Sequence, residues 1–388
     1  MKSGLLDLTA FIGTGTDMTE PGGGAMWEQV ASLPALLRDE TGPMESRLRL
    51  ALATPEIYRL HRVVLLGSGD SHAAALALAP AFAAWSGLPV QAVTAMEGAR
   101  YLTLGPRPGG VLVVAISNSG EAARVVEAAE QLVARGALVM AMTAAPNGSL
   151  AKAAGRVLDV SIAPSRPAPG VRSFLAALLG LALLAIRAGE VKMRMTMDEA
   201  QALRKAIAGL AGPMEETIAT CRRRLPALAA SWSEFTTADI VGSGPEFGVA
   251  AYAAAKLIEA AGIHAAPQDA EEFHHLNYYV ARRRQTPVVL FQPAGSAAAS
   301  RLAELRTYLE RLDRPRLWIG EGDAEGPNLL RLPTAPALLA PMLETGPAAA
   351  LAAEWASAAG TTPFRGFVEP WEGGRGSAIV RNSHRLGS

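Results

Sequence analysis

Apolar residues fall along the chain in two alternating patterns, short continuous runs and longer stretches with helical spacing. Val63–Leu66, Pro89–Val93, Val111–Ile116, Ala137–Met142 and Arg156–Val160 read as strands. The run Val111–Ile116 (VLVVAI) has no polar position, so both of its faces must be covered, as in a parallel sheet. Helical patterns run to Trp85 after the first strand, to about Arg135 after the third, and over 172–188. The last holds the longest apolar stretch, Phe174–Ile186 (FLAALLGLALLAI), between Arg172 and Arg187. It is shorter than the ~20 residues that cross a bilayer and reads as a buried core helix.

The pattern then repeats. Residues 196–230 are helical and charged, and connect to a second block of the same kind. Strands are expected at Asp239–Val241, Ile263–Ala265, Pro287–Phe291 and Arg316–Ile319, with helices at about Phe247–Ala261, 297–312 and 336–359. Strand–turn–helix succession of this sort predicts an α/β protein with parallel sheets flanked by helices. LLGSGDS and IVGSGPE open the two blocks, which marks a twofold internal repeat. The expected organisation is a mobile lead over 1–25, a first unit over 26–195, a helical connector over 196–230, a second unit over 231–362 and a tail over 363–388. Residues 12–25 are Gly- and Thr-rich, and the tail contains Gly373, Gly374 and Gly376.

Composition narrows the function classes. The 388 residues carry 36 basic and 36 acidic side chains, so net charge is zero. That gives no electrostatic footprint for nucleic acid or an anionic membrane. A lone cysteine, Cys221, can form neither an internal disulfide nor a thiolate zinc site. With no signal segment at its start, the chain is expected to be cytoplasmic. Only Lys2, Lys152, Lys192, Lys205 and Lys256 are lysines. A lysine in a polar cleft would therefore stand out.

Three places carry candidate chemistry. Gly-x-Gly occurs at 67–69 and 242–244, each just after a strand. The first turn lacks the third glycine of a dinucleotide fingerprint, and a tight strand-to-helix turn would use the same residues. Ser117-Asn118-Ser119-Gly120-Glu121 follows the apolar strand and opens a helix. Hydroxyls, an amide and backbone N–H groups there suit an anion, although an ordinary cap by Ser119, with Glu121 on the helix dipole, would read the same way. Lys256 and Glu259 share one helix face within AYAAAKLIEAAGI, where isolated charges are costly unless paired or functional. His274 and His275 follow Glu271 and Glu272, but adjacent histidines point different ways and no third ligand is evident. No metal or other cofactor is expected.

At this point the residues carry a resemblance. LLGSGDSHAAALALAPAFAAWSGLP, AISNSGEAARVVEAAEQLVARGA, VGSGPEFGVAAYAAAKLIEAAGIHA and EEFHH together resemble the sugar isomerase (SIS) domain family, in particular the isomerase part of glucosamine-6-phosphate synthase. The resemblance runs from about Met26 to Ala359. It implies two tandem SIS domains, each a flavodoxin-like α/β sandwich. It implies that Ser117, Asn118 and Ser119, with Ser71 of the turn containing Gly69 and Asp70, hold a sugar phosphate. Glu259 matches the base that moves a proton between C1 and C2, and Lys256 a nearby lysine. His275 matches a ring-opening histidine that enters the site from a partner subunit, so a homodimer with shared active sites is implied. Glu272 beside it and Arg381 of the tail are further candidates for substrate contact.

The departures from the family pattern shape the expected function. No glutaminase domain and no N-terminal nucleophilic cysteine are present, so glutamine-dependent amino transfer is not implied. Asp70 stands where the family has a threonine, and Ala122 where another closes the phosphate loop. A carboxylate facing a dianion is repulsive, so Asp70 either points away or meets an amine or hydroxyl of the substrate. The family's tail lysine is missing: the tail offers Arg365, Arg381 and Arg385, and arginine cannot form a Schiff base. The leading expectation is a metal-independent aldose–ketose isomerase acting on a phosphorylated or otherwise anionic sugar. The alternatives are an amino-sugar-phosphate deaminase or deglycase using the same site, and a non-catalytic sugar-phosphate sensor.

Overall fold

The computed structural model describes residues 22–321, 326, 328–363 and 378–386. Helices α1 (Gly24–Ala31), α2 (Leu33–Ala51) and α3 (Thr54–Arg59) precede the first sheet. That sheet holds β1 (Arg62–Gly67), β2 (Val90–Thr94), β3 (Val111–Ile116), β4 (Leu138–Thr143) and β5 (Val157–Asp159). Its order is β2-β1-β3-β4-β5, and every pairing is parallel. Crossovers are made by α4 (Asp70–Ser86), α5 (Ala95–Arg100), α6 (Ala123–Ala134) and α7 (Ser149–Ala154), and α8 (Arg172–Val191) follows. The all-apolar β3 is buried along its whole length at the centre of the sheet.

Helices α9 (Met197–Gly209) and α10 (Ala211–Trp232) fill the charged helical stretch. The second sheet holds β6 (Thr237–Val241), β7 (His264–Gln268), β8 (Val288–Gln292), β9 (Arg316–Gly320) and β10 (Leu329–Arg331). Around it lie α11 (Pro245–Lys256), α12 (Ala270–His275), α13 (Ala299–Arg311) and α14 (Ala340–Ala358). Its order, β7-β6-β8-β9-β10, is parallel and places its strands as in the first sheet. The order reverses between β1 and β3 and again between β6 and β8. Crevices at the carboxyl ends of strands flanking such a reversal are where open parallel sheets bind ligands.

The paired glycine turns share one geometry. A Cβ on Gly67 would sit 2.7 Å from the Ser71 backbone, and one on Gly242 would sit 2.2 Å from the Glu246 carbonyl oxygen. Only glycine lets the helix start so close to the strand it leaves. Gly69 caps α4 at φ +55°, ψ −128°, and Gly244 caps α11 at φ +64°, ψ −127°, a conformation closed to other residues.

The structure departs from the sequence pattern in a few places. Residues 1–21 of the expected mobile lead lie outside the described residues, but Gly24 and Ala25 already belong to α1. There Trp27 Nε1 donates to Glu354 of α14 at 2.6 Å. The three N-terminal helices and β10 were not separable by pattern. The tail glycines and Arg365 lie outside the described residues. Helix α15 (Ala378–Arg381) and the residues after it rest on α6, where Arg124 donates to Ser383 Oγ (3.0 Å) and to the His384 carbonyl (2.9 Å).

One apolar core runs continuously through both halves. Helix α8 is long and apolar enough to cross a membrane by length and composition, yet 83% of its apolar window is buried inside the protein. Helices α2 and α4 pack against it. Helices α4 and α11 join the halves. Asp70 at the start of α4 meets Lys256 at the end of α11. Gly248, two turns earlier in α11, meets Ala73 and Ala77 of α4, so the two helices run antiparallel. A Cβ on Gly248 would lie 2.3 Å from the Ala77 backbone nitrogen. Gly248→Ala is therefore expected to lower stability by about 1–3 kcal/mol through overpacking, despite alanine's better helix propensity of about 1 kcal/mol. Urea unfolding of the variant measures this.

Candidate active site

At the β1/β3 reversal a cavity of about 90 Å³ is lined by Asp70, Ser71, Asn118 and Ser173, with Ile116 and Phe174 among its apolar walls. Asp70 and Ser71 are the first residues of α4, placed by the Gly67–Gly69 turn. Ser117 directly follows β3, is buried, and donates its N–H to the Met142 carbonyl at 3.0 Å. The Asn118 carbonyl accepts from the Ala144 N–H and from Thr143 Oγ1, which fixes the loop to β4. Helix α6 starts at Ala123, and its cap, Ala122, has no side-chain bond. Ser119 is thus not the helix cap; its hydroxyl accepts from the Glu121 N–H at 3.3 Å. The Glu121 carboxylate turns away to the N–H (2.9 Å) and hydroxyl (2.7 Å) of Ser149. The loop is pinned from outside, and Asn118 is its one residue on the cavity wall; Ser117 and Ser119 do not line it.

Lys256 is the centre of the site's electrostatics. It is fully buried, and its Nζ donates to Asp70 Oδ2 at 2.7 Å and Glu259 Oε2 at 2.5 Å. Glu259 sits in one turn of π-helix, Leu257–Ala261, closed by Gly262 at φ +72°. Such turns recur at functional sites. Burial alone would lower the Lys256 pKa, but the two carboxylates outweigh it and the ammonium is held above its ordinary value. Burial raises Glu259; Lys256 pulls it back and Asp70 pushes it up, with a net rise. The Glu259 side chain is 46% exposed, so solvent screens part of that rise. Asp70 Oδ1 is buried and has no hydrogen-bond partner. A residue on the cavity wall thus carries a buried, unfilled acceptor.

The segment entering α8 closes the site from above. A Cβ on Gly170 would lie 2.7 Å from Ser173 Oγ and 3.2 Å from Asp70 Oδ2. The Tyr252 hydroxyl of α11 donates to the Gly170 carbonyl at 3.2 Å, and its ring stacks on Phe174 with centroids 3.8 Å apart. Sequence reasoning missed Gly170, Ser173 and Tyr252. Their one signal was a glycine and a serine just before the longest apolar run, which read as core.

The remaining candidates lie elsewhere. Gly69 is the cap of α4. His275 and Glu272 are exposed on α12, with His275 Nε2 3.2 Å from Glu271 Oε1. The neighbouring His274 turns inward, with Nδ1 2.8 Å from the Ala270 carbonyl. Arg381 ends α15 against α6 and does not line the cavity. Among the described residues no group of three or more His, Cys, Asp and Glu side chains could hold a metal ion.

Comparison with known proteins places this geometry. Residues 56–187, which hold the first sheet and the residues lining its cavity, match the SIS domain family model. The chain is 24% identical over 332 residues to a glutamine–fructose-6-phosphate aminotransferase (isomerizing) of Gloeobacter violaceus, covering 84% of this chain and 54% of that protein. It thus spans about half the length of the curated relatives it matches. The C-terminal domain of a glucosamine-fructose-6-phosphate aminotransferase from Francisella tularensis has the same fold, with TM-score 0.76 at 17% identity, covering 87% of this chain and 96% of that one. A glucosamine-6-phosphate deaminase from Thermotoga maritima superposes with TM-score 0.66 at 18% identity, covering 88% and 97%.

The buried ammonium makes an unequal demand on its partners. Lys256→Met leaves two partly exposed carboxylates that water can solvate. Asp70→Asn with Glu259→Gln leaves a buried ammonium without a counter-charge, which costs about 3–5 kcal/mol. The double variant is expected to be the less stable of the two by urea unfolding. The reverse order would show that Lys256 is not held by these carboxylates.

Proposed function

We propose that this SIS-domain protein is an aldose–ketose isomerase of a phosphorylated sugar, working as a cytoplasmic homodimer without a cofactor. The observation that carries the reading is the arrangement Asp70–Lys256–Glu259, whose Asp70 lines a cavity together with Ser71 and with Asn118 of the Ser117–Ser119 loop. The phosphate is received by the hydroxyls of Ser71, Ser117 and Ser119, the Asn118 amide and loop N–H groups. Glu259 takes a proton from one carbon and returns it to the next on the same face of the sugar. Its raised affinity for protons suits a base that must also give the proton back. Lys256, held as ammonium, offers its charge to the enediolate oxygen and does not act as an imine-forming amine. His275, exposed on α12, opens the sugar ring in the partner subunit's site.

One observation favours a second reading. Asp70 lines the cavity and its buried Oδ1 has no hydrogen-bond partner; an ammonium or hydroxyl donor would satisfy such an acceptor and a phosphate oxygen would not. That supports an amino-sugar phosphate as substrate, with release of the amine after the same proton transfer from Glu259.

Incubation with sugar phosphates and amino-sugar phosphates in heavy water tests both. Deuterium is expected at C1 or C2 of a turned-over substrate, and Glu259→Gln is expected to reduce exchange by about 10²–10⁴-fold. Binding without exchange across the panel would leave a sensor rather than an enzyme. The pH profile carries the second check. Glu259 must be ionised to act, so kcat/KM is expected to fall on the acid side, with its midpoint above the usual glutamate range. Asp70→Asn is expected to erase about tenfold of any preference for an amino-sugar phosphate over its hydroxyl counterpart. An unchanged ratio removes the second reading.

A further inference from the structure

The second sheet has its own crevice where its order reverses, between the carboxyl ends of β6 and β8. A cavity of about 410 Å³ opens there, walled by Ser243, Glu246, Ser296 and Ala298 with Ala337 and Leu338. That lies in the range of small-molecule sites, roughly 300–1,000 Å³ and mostly apolar with a few convergent polar groups. Counted from the matching glycines Gly67 and Gly242, Glu246 occupies the place that Ser71 holds in the first cavity.

Glu246 is only 3% exposed. Among the described residues no lysine or arginine pairs with it, and its own backbone N–H is the one hydrogen bond that supports its charge. Burial pushes its pKa up to about 7. Behind it Glu344 of α14 is fully buried, and neither of its oxygens has a partner. Burial, and then the nearby charge of Glu246, hold Glu344 protonated well above the ordinary range. Buried polar groups are nearly always satisfied, and a carboxyl left unpaired on a cavity wall is costly. A ligand that brings donors relieves that cost. No wall residue is basic, so an anionic ligand would meet Glu246 unscreened, and an apolar one would leave it unpaired.

We propose that this crevice is a second ligand site, taking a small molecule with a primary ammonium group that donates to the Glu246 carboxylate while Ser243 and Ser296 meet its hydroxyls. It is separate from the Asp70 cavity. Glu246 is in the first turn of α11 and Lys256 in its last, about 15 Å apart along the axis at 1.5 Å per residue.

Calorimetric titration of the full chain tests this, with glucosamine as the ammonium probe and glucose as its neutral counterpart. Glucosamine is expected to bind saturably, and glucose about tenfold or more weakly. Glu246→Gln is expected to remove that difference while fructose 6-phosphate binding at the Asp70 cavity stays unchanged. Glu259→Gln is expected to leave glucosamine binding intact, whatever it does to turnover. Should Glu246→Gln fail to fold, Ala297→Phe at the mouth of the cavity is expected to abolish glucosamine binding. Absence of saturable glucosamine binding, equal affinity for glucose, or glucosamine binding that survives Glu246→Gln or Ala297→Phe would overturn the proposal. So would its loss in Glu259→Gln, which would place the probe in the first cavity.

Discussion

The close approach of α4 and α11 is the contact on which the rest of the molecule depends. Each helix leaves a sheet through a glycine turn, and each is rich in alanine where they meet. Gly248 lets the α11 backbone lie against Ala73 and Ala77. Small residues trade side-chain area for proximity, and dispersion forces reward that only if the fit is dense. The antiparallel arrangement then carries the end of one helix to the start of the other. Lys256 of one half reaches Asp70 of the other for that reason. The two sheets also share a single apolar core, so the candidate site is not a surface between two bodies that move freely.

The same contact explains how a buried ammonium survives. Desolvating Lys256 is expensive. Asp70 and Glu259 approach from opposite halves and more than offset the loss of water. The threonine expected at position 70 could not do this. An aspartate there, which looks unfavourable beside a phosphate, is the counter-charge of Lys256 through one oxygen and an unfilled acceptor through the other. Burial, with the charge of Asp70 added to it and Lys256 opposing, leaves Glu259 readier to hold a proton than an ordinary surface glutamate.

The two halves repeat in backbone and diverge in chemistry. Strand order and glycine-cap angles agree closely between them. Backbone geometry of that kind is constrained by sterics, since few residues tolerate the turn. The side chains that follow the turn carry no such constraint. Asp70-Ser71 in one half corresponds to Pro245-Glu246 in the other, and the cavities they wall differ in charge and size.

Much of the fold was legible in the sequence because it rests on local, periodic signals. Continuous apolar runs placed nine strands to within a residue or three, and Gly67 and Gly242 marked where helices begin. The three-residue β10 has too few positions to show a period, and α1 to α3 have no strand between them to frame them. Of the candidate site, the sequence pattern pointed to Ser117–Ser119, Lys256 and Glu259, since hydroxyls at a strand end and charges in an apolar helix are anomalies visible in one dimension, while Ser71 came only through the family resemblance. Only tertiary structure decided that Asp70 belongs to Lys256, that Ser173 and Phe174 wall the cavity with Tyr252 stacked on Phe174, and that His274 turns inward while His275 faces outward. Those outcomes depend on which helices touch and at what distance, across separations such as the 186 residues between Asp70 and Lys256, and no periodicity along a chain encodes them.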